Sequence, residues 1–444
     1  MNKRSPLAVV ILAAGKGTRM KSAHPKVMHA IAGRPMIGWV LETVEALEPD
    51  KIIIVTAPEQ DVIAQAVAPH SCVYQEQQLG TAHAVKAARA ALSDFTGRVL
   101  VVYGDGPLYT DRTLRHFLNN LDQAGVPLGF LGMEPADPTG YGRLLIEDGY
   151  VARIVEEKDA SEAQKAVRTC WTGVMAAQAP VLWGWLDRID NNNAKGEYYL
   201  TKLPEIAAAD GAKTLTAMAP VDETLGANTR VELAVLEEKI QHRLRVAAME
   251  NGATLIDPAS VYFSHDTKLG QDVLVEPNVF FGPGVEVADN VTIHGFSHLE
   301  GVTIETGASI GPFARIRPIS HIGENASVGN FIEVNRSVLK AGAKSKHVSY
   351  LGDAVIGAKS NIGAGTIIAN YDGFNKLETT IGEGVFVGSN ATIVAPRTIG
   401  DGSLIGAGSV VIEDVPDDAI YIERSEPDIY KEAAKDYRAR KRKQ

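Results

Sequence analysis

The chain has 444 residues, 45% of them hydrophobic and 22% charged, with a formal net charge of -10. Its length favours two domains, and its composition excludes both a disordered chain and a membrane-embedded one. The acidic balance gives no support to a nucleic-acid surface, and two cysteines, Cys72 and Cys170, offer no metal-ligand spacing and point to a reduced, cytoplasmic setting.

Lys3 and Arg4 ahead of the apolar run Leu7 to Ala14 imitate a signal peptide, but the run passes straight into Gly15-Lys16-Gly17-Thr18-Arg19 with no cleavage-type segment. Residues 6–14 therefore read as a strand buried on both faces. Nowhere does an apolar stretch reach the about 18 residues of a membrane span. The cationic glycine loop has backbone N–H groups that can hold a polyphosphate with Lys16 and Arg19; by itself it reads by default as a structural turn. A helix over 36–47 and a strand over 51–55 follow Pro25-Lys26, giving the strand, helix, strand alternation of a doubly wound, mostly parallel sheet. Gln75-Glu-Gln-Gln-Leu-Gly-Thr-Ala-His83 places Gly80-Thr81 at the start of a helix. The apolar strand 98–103 ends in Tyr103-Gly104-Asp105, a carboxylate where open α/β sheets bind ligands, read as a Mg²⁺ ligand against the alternative of a turn former. Leu233, Leu236, Ile240 and Leu244 then recur at helical spacing, which predicts a connecting helix over 230–250.

From Leu269 an aliphatic or Phe residue returns every six positions: Leu269, Val275, Phe281, Val287, Ile293, Leu299, then Ile304 to Val334, then Ile356 to Val411 around a longer loop at 369–380. A six-residue period fits neither a strand pair nor an α-helix, but it suits a parallel β-helix whose coils stack side chain on side chain. Gly commonly follows the aliphatic, as in Ile322-Gly323 and Ile356-Gly357, and is expected at the coil corners. The last residues, 431–444, carry seven basic against two acidic side chains and read as a solvated tail.

Leu12-Ala-Ala-Gly-Lys-Gly-Thr-Arg-Met20 with Pro25-Lys26 resembles the signature of sugar-nucleotide pyrophosphorylases, and Thr139-Gly-Tyr-Gly-Arg143, Ile154-Val-Glu-Glu-Lys158 and Gly226-Ala-Asn228 continue the likeness. The hexad tract resembles the left-handed β-helix of hexapeptide-repeat transferases, which implies a homotrimer with acyl-CoA sites between neighbouring helices. Together the halves resemble the bacterial bifunctional N-acetylglucosamine-1-phosphate uridyltransferase and glucosamine-1-phosphate acetyltransferase family. Expected domains are a pyrophosphorylase at 1–228, a helical linker at 229–250, a left-handed β-helix at 251–424 and a basic tail at 425–444.

The resemblance implies these roles. UTP and the sugar nucleotide would be held by Leu12, Ala13, Ala14, Gly15, Lys26, Gln75, Gly80, Thr81, Tyr103, Gly104, Asp105, Gly142, Glu156, Trp171 and Asn228, with Mg²⁺ on Asp105 and Asn228. Arg19 and Lys16 would hold the departing pyrophosphate. His347 would be the acetyltransferase base, with Arg317, Asn335, Tyr350, Asn361 and Lys376 around glucosamine 1-phosphate. Acetyl-CoA would lie along Ala364, Asn370, Tyr371, Ser389, Ala407 and Arg424. No nucleic acid is expected as a partner.

Four residues depart from the family pattern. Trp171 replaces a polar contact to the sugar, and either stacks on the sugar face or narrows the pocket. Lys202 reverses a charge, and Gly106 stands for a larger residue after Asp105. Asn335 stands where a Lys grips the sugar phosphate; Arg336 is not expected to replace it, because neighbours on a strand point to opposite faces. The leading expectation is the full bifunctional synthesis of UDP-N-acetylglucosamine. The alternatives are uridylyl transfer alone with the β-helix as a trimerisation scaffold, and a sugar-nucleotide-binding protein without turnover, which Trp171 and Lys202 suggest and the retained Lys26, Asp105 and Asn228 oppose.

Overall fold

The computed structural model describes residues 5–193, 195–424 and 427–442, which divide into two compact units, 1–242 and 243–444. In the first, a seven-strand path runs Thr214–Met218, Leu128–Met133, Cys170–Gln178, Arg98–Tyr103, Leu7–Leu12, Lys51–Thr56, Ser71–Tyr74. All neighbours are parallel except Cys170–Gln178, which is antiparallel on both sides. The strand Leu7–Leu12 shows why the sheet is doubly wound. Its six residues are all buried, and alternate ones feed different cores: Ala8, Val10 and Leu12 pack with Val85 and Trp185, whereas Leu7, Val9 and Ile11 pack with Val40 and Phe117. Leu12 lies opposite Tyr103 in register, and Gly104 N donates to Leu12 O at 3.0 Å. The loops that leave these two strands are thereby fixed side by side at the carboxyl edge of the sheet.

The helix Arg230–Glu250 opens on a capping box, in which Thr229 Oγ1 accepts from Glu232 N at 3.2 Å and Glu232 Oε2 accepts from Thr229 N at 3.2 Å. Its apolar residues divide between the units: Leu236 and Ile240 are buried within the first, while Leu244 and Ala248 pack on the apolar core of the second. There the helix covers the first coil, as the open end of any stacked-repeat fold requires.

The second unit is a parallel β-helix of very short strands in three columns. Leu269, Val287, Ile304, Ile322, Leu339, Ile356, Ile381 and Ile399 stack as one column; Val275, Ile293, Ile310, Val328, Ser345, Ile362, Val387 and Ile405 form another. Three hexads therefore make one coil. Almost every inward residue is fully buried, each contributing about 1.5–3 kcal/mol. Ser345 occupies an inward position between the inward Leu339 and Leu351, and the steps from Val334 to Leu339 and from Leu351 to Ile356 are shorter than a hexad. This is why the aliphatic run lapses between Val334 and Ile356 although the coils continue. At one place the two-residue strands lengthen to nine, in Ser327–Asn335 and Lys344–Gly352, and run continuously through a corner. The tail contributes a helix, Ala433–Lys441, exposed at every residue.

Most glycines that follow the inward aliphatics are required by contact between coils, and not by dihedral freedom; Gly311, with φ +91°, is the exception. Gly323, Gly357, Gly382 and Gly388 lie outside the left-handed region, and the positive-φ corners are taken instead by residues such as Asn325, Phe331 and Asn390. A Cβ on Gly357 would lie 2.1 Å from Gly382 O on the next coil. Gly357→Ala should therefore destabilise the β-helix by roughly 1–3 kcal/mol, because backbone on both sides leaves nothing to yield. A urea midpoint indistinguishable from wild type would contradict this reading.

Candidate functional site

Each unit carries its own constellation. In the first, Leu12, Ala13, Ala14, Gly15, Lys26, Gln75, Gly80, Thr81, Tyr103 and Asp105 line a single cavity of about 370 Å³ at the carboxyl edge of the sheet. Sequence reasoning missed Gln78 and Glu197, which line it too. The Gln78 amide donates to Ala14 O and ties the glycine loop to the segment before the helix Thr81–Ala87. Gln75 is buried and donates from Nε2 to Gly80 O at 3.1 Å, so one side chain shapes its own loop. Burial, followed by the Asp105 and Glu156 carboxylates, pushes the Tyr103 phenol well above its ordinary range, so it is a neutral donor at any physiological pH.

The charged centre of this site is Lys26. Its ammonium pairs with Asp105 Oδ2 and donates to Asn228 Oδ1 at 2.7 Å, and Arg19 Nη2 donates to the same Asn228 oxygen at 2.9 Å. Asp105 comes from a strand end and Asn228 from the residue before a capped helix, so rigid elements aim both oxygens at one cationic point. Among the described residues no group of three or more His, Cys, Asp or Glu side chains forms a metal cage. A pair of hard oxygens already converging on a cation suits Mg²⁺, which keeps most of its shell for water and substrate phosphates.

Three residues nominated for the sugar lie apart from that cavity. Glu156 lines a separate pocket of about 340 Å³ with Lys202, Asn193 and Tyr199, and burial raises its carboxyl above the usual range. Gly142 neighbours it: a Cβ there would be 3.8 Å from Glu156 Oε1. Of the two roles expected of Trp171, its burial removes stacking on the sugar face. Its indole is buried edge-on to Phe130 at 5.6 Å, with Nε1 donating to Val174 O at 2.9 Å, so the ring belongs to the core and offers no stacking face. Gly106 leaves space that Tyr109 closes, since a Cβ would meet its ring at 3.0 Å.

In the second unit the two nine-residue strands bring the acetyltransferase candidates together. Register sets Asn330 beside His347, Glu333 beside Tyr350 and Asn335 beside Gly352. His347 is exposed and heads a corner column that continues coil by coil through Ala364, Ser389 and Ala407. The candidate base and three candidate acyl-CoA contacts therefore lie on one line. Asn361 falls in the column of Lys344 and Phe386, and Arg424 lies exposed beyond the last strand, Ile420–Tyr421.

Beside that line is a charged cluster. Arg317 Nη1 donates to Glu333 Oε1 at 3.0 Å, and Arg336 grips Asp353 with Nε at 2.6 Å and Nη2 at 2.8 Å. Arg336 and Asn370 hold the Asp353 carboxyl below the usual range. The Asn370 amide donates to Asp353, and the Tyr350 hydroxyl and Asn370 Nδ2 both lie 2.6 Å from the point where a Cβ on Gly352 would stand. Lys376, on the long loop, sits 4.2 Å above the Tyr371 ring. Asn335 departs from its expected role: it is 4% exposed, and its Oδ1 accepts from Arg336 Nη1 at 3.2 Å, so it faces a neighbouring side chain in the corner and not an open subsite.

Comparison with known proteins agrees with this division. Residues 9–167 match a MobA-like NTP transferase domain, and residues 298–397 match a GMPPB C-terminal domain. A "Bifunctional protein GlmU" of Paramagnetospirillum magneticum is 51% identical over 424 residues, covering 95% of this chain and 94% of that protein. One from Zymomonas mobilis is 47% identical over 449 residues and covers both chains completely, and one from Azorhizobium caulinodans is 50% identical over 428 residues. The chain belongs to the GlmU family of bifunctional proteins.

Proposed function

We propose that the chain makes UDP-N-acetylglucosamine in two steps, acetylating glucosamine 1-phosphate with acetyl-CoA in the β-helix and coupling the product to UTP in the α/β unit. What supports this reading is that a chain similar end to end to bifunctional proteins gathers a separate cluster of candidate residues in each half, Lys26 with Asp105 and Asn228 in one and the corner column of His347 in the other. In the α/β unit the sugar 1-phosphate oxygen attacks the α-phosphorus of UTP and pyrophosphate leaves. The nucleophile is already an anion, so positioning and charge neutralisation carry the rate. Lys26 neutralises the α-phosphate, and Lys16 and Arg19 draw off the pyrophosphate. Gln75, Gly80 and Thr81 hold the base, while Gly142 and Glu156 hold the sugar. Asp105 and Asn228 would hold a Mg²⁺ ion, which would supply charge neutralisation to the substrate phosphates.

In the β-helix the glucosamine nitrogen attacks the thioester carbonyl and the CoA thiolate leaves. His347 takes the proton from the amine, which is largely protonated at neutral pH and unreactive in that form. Ala364, Ser389 and Ala407 form the wall along which the pantetheine chain lies. A homotrimer supplies the facing wall. Its support is an exposed ladder of Phe296, Phe313 and Phe331, 57%, 45% and 59% exposed, whose rings stack at 5.0 Å along one corner, an apolar strip suited to a second copy. The compartment is the cytoplasm, consistent with free Cys72 and Cys170. Among the described residues no helix is long and apolar enough to cross a membrane.

Two assays on the purified chain test the reading. Thiol release from acetyl-CoA should require glucosamine 1-phosphate, and pyrophosphate release from UTP should require N-acetylglucosamine 1-phosphate and Mg²⁺. Pyrophosphate without thiol would leave the β-helix as scaffold alone.

A further inference from the structure

Position 336 is the last residue before a corner, and its backbone is left-handed, with φ +50°. That conformation breaks the alternation by which adjacent strand residues point to opposite faces. The Arg336 side chain turns back over Asn335, close enough for Nη1 to donate to Asn335 Oδ1 at 3.2 Å. Asn335 itself is buried and neutral, whereas the Arg336 side chain is 34% exposed.

We propose that Arg336 is the principal phosphate-binding cation of the acetyl-acceptor subsite, a role that residue 335 does not fill in this chain. The inference rests on the acetyltransferase reading above. Three features support it. A guanidinium has five N–H donors, and Arg336 spends three, two on Asp353 and one on Asn335, leaving two without a partner among the described residues. The bidentate grip of Asp353, itself braced by the Asn370 amide, fixes the fork before any ligand arrives. Finally, the surrounding charge is unbalanced: among the described residues Arg315, Arg317, Arg336 and Lys376 are set against Glu333 and Asp353, an excess of two positive charges beside Tyr350. Arg317 is tied to Glu333 and Lys376 lies on the long loop above Tyr371, so Arg336 is the cation the fold pre-positions best. A dianionic phosphate monoester, with three terminal oxygens, can accept from the remaining N–H groups.

The test is steady-state acetyl transfer by the full-length chain, varying glucosamine 1-phosphate and acetyl-CoA separately. Arg336→Ala should raise KM for glucosamine 1-phosphate roughly ten- to a hundredfold, the loss of one charge-assisted contact, with KM for acetyl-CoA unchanged. Arg336→Lys should fall between the two, since it keeps the charge and loses the fork. Asn335→Lys placed in the Arg336→Ala background should recover part of the loss, which a merely structural role for Arg336 would not permit. An unchanged KM for glucosamine 1-phosphate in Arg336→Ala, or equal losses of kcat in Arg336→Ala and Arg336→Lys without a KM effect, overturns the proposal. A wild-type chain that releases no thiol overturns the acetyltransferase reading, and this inference with it.

Discussion

Lys26→Ala should lower uridylyl transfer by about 10³-fold, the scale of removing a charge that stabilises a transition state inside a preorganised site. The expectation follows from where the ammonium sits. It contacts Asp105 and Asn228 together, at the carboxyl edge of the strands, and is 12% exposed. Water therefore screens it poorly, and among the described residues neither Arg19, which reaches Asn228 but not Asp105, nor Lys16, which lines the same cavity, contacts both oxygens. The loss should appear in kcat, because the charge it neutralises develops as the α-phosphorus changes partners. Thiol release by the β-helix should be untouched, since its site belongs to the other compact unit. Pyrophosphate formation within about tenfold of wild type in Lys26→Ala would show that Lys26 is an ordinary ion-pair partner of Asp105.

His347→Ala should reduce acetyl transfer by about 10²–10⁴-fold, the usual contribution of a positioned general base. The residue is exposed on its corner, so its truncation should change stability by less than about 0.5 kcal/mol. Loss of rate without loss of fold is thus a clean signature here. Residual activity in the variant should climb with pH, because the amine then arrives already deprotonated. A variant that keeps the wild-type rate would move the base elsewhere on the column headed by residue 347. Uridylyl transfer should be unaffected.

Much of the architecture was legible because it is periodic. The hexad aliphatics announce the coil, and an apolar strand running into a glycine loop announces the sheet edge. Where the pattern failed, a local substitution or a three-dimensional contact had replaced it. Ser345 hid an inward position behind a polar side chain, so the coil seemed to lapse where it is continuous. Apart from Gly311, whose φ is +91°, the glycines after the aliphatics were legible as glycines but not for their main reason, which is close contact with the next coil. The boundary between the units falls inside one uninterrupted helix, and nothing in its local sequence marks the residue at which its packing partner changes. At the sites, motif spacing found the loops, yet it said nothing of where side chains turn. Trp171, expected either to stack on the sugar or to narrow its pocket, packs in the core against Phe130, on a strand whose register is irregular between Trp171 and Met175. Arg336 was discounted by strand alternation, a rule its left-handed backbone does not obey.

The most direct measurement gives the purified wild-type chain glucosamine 1-phosphate, acetyl-CoA, UTP and Mg²⁺ together and follows the products by mass spectrometry. UDP-N-acetylglucosamine should accumulate with equal amounts of free CoA and pyrophosphate, each dependent on its own substrate. Pyrophosphate from supplied N-acetylglucosamine 1-phosphate, with no CoA released from glucosamine 1-phosphate, would contradict a chain that performs both chemistries.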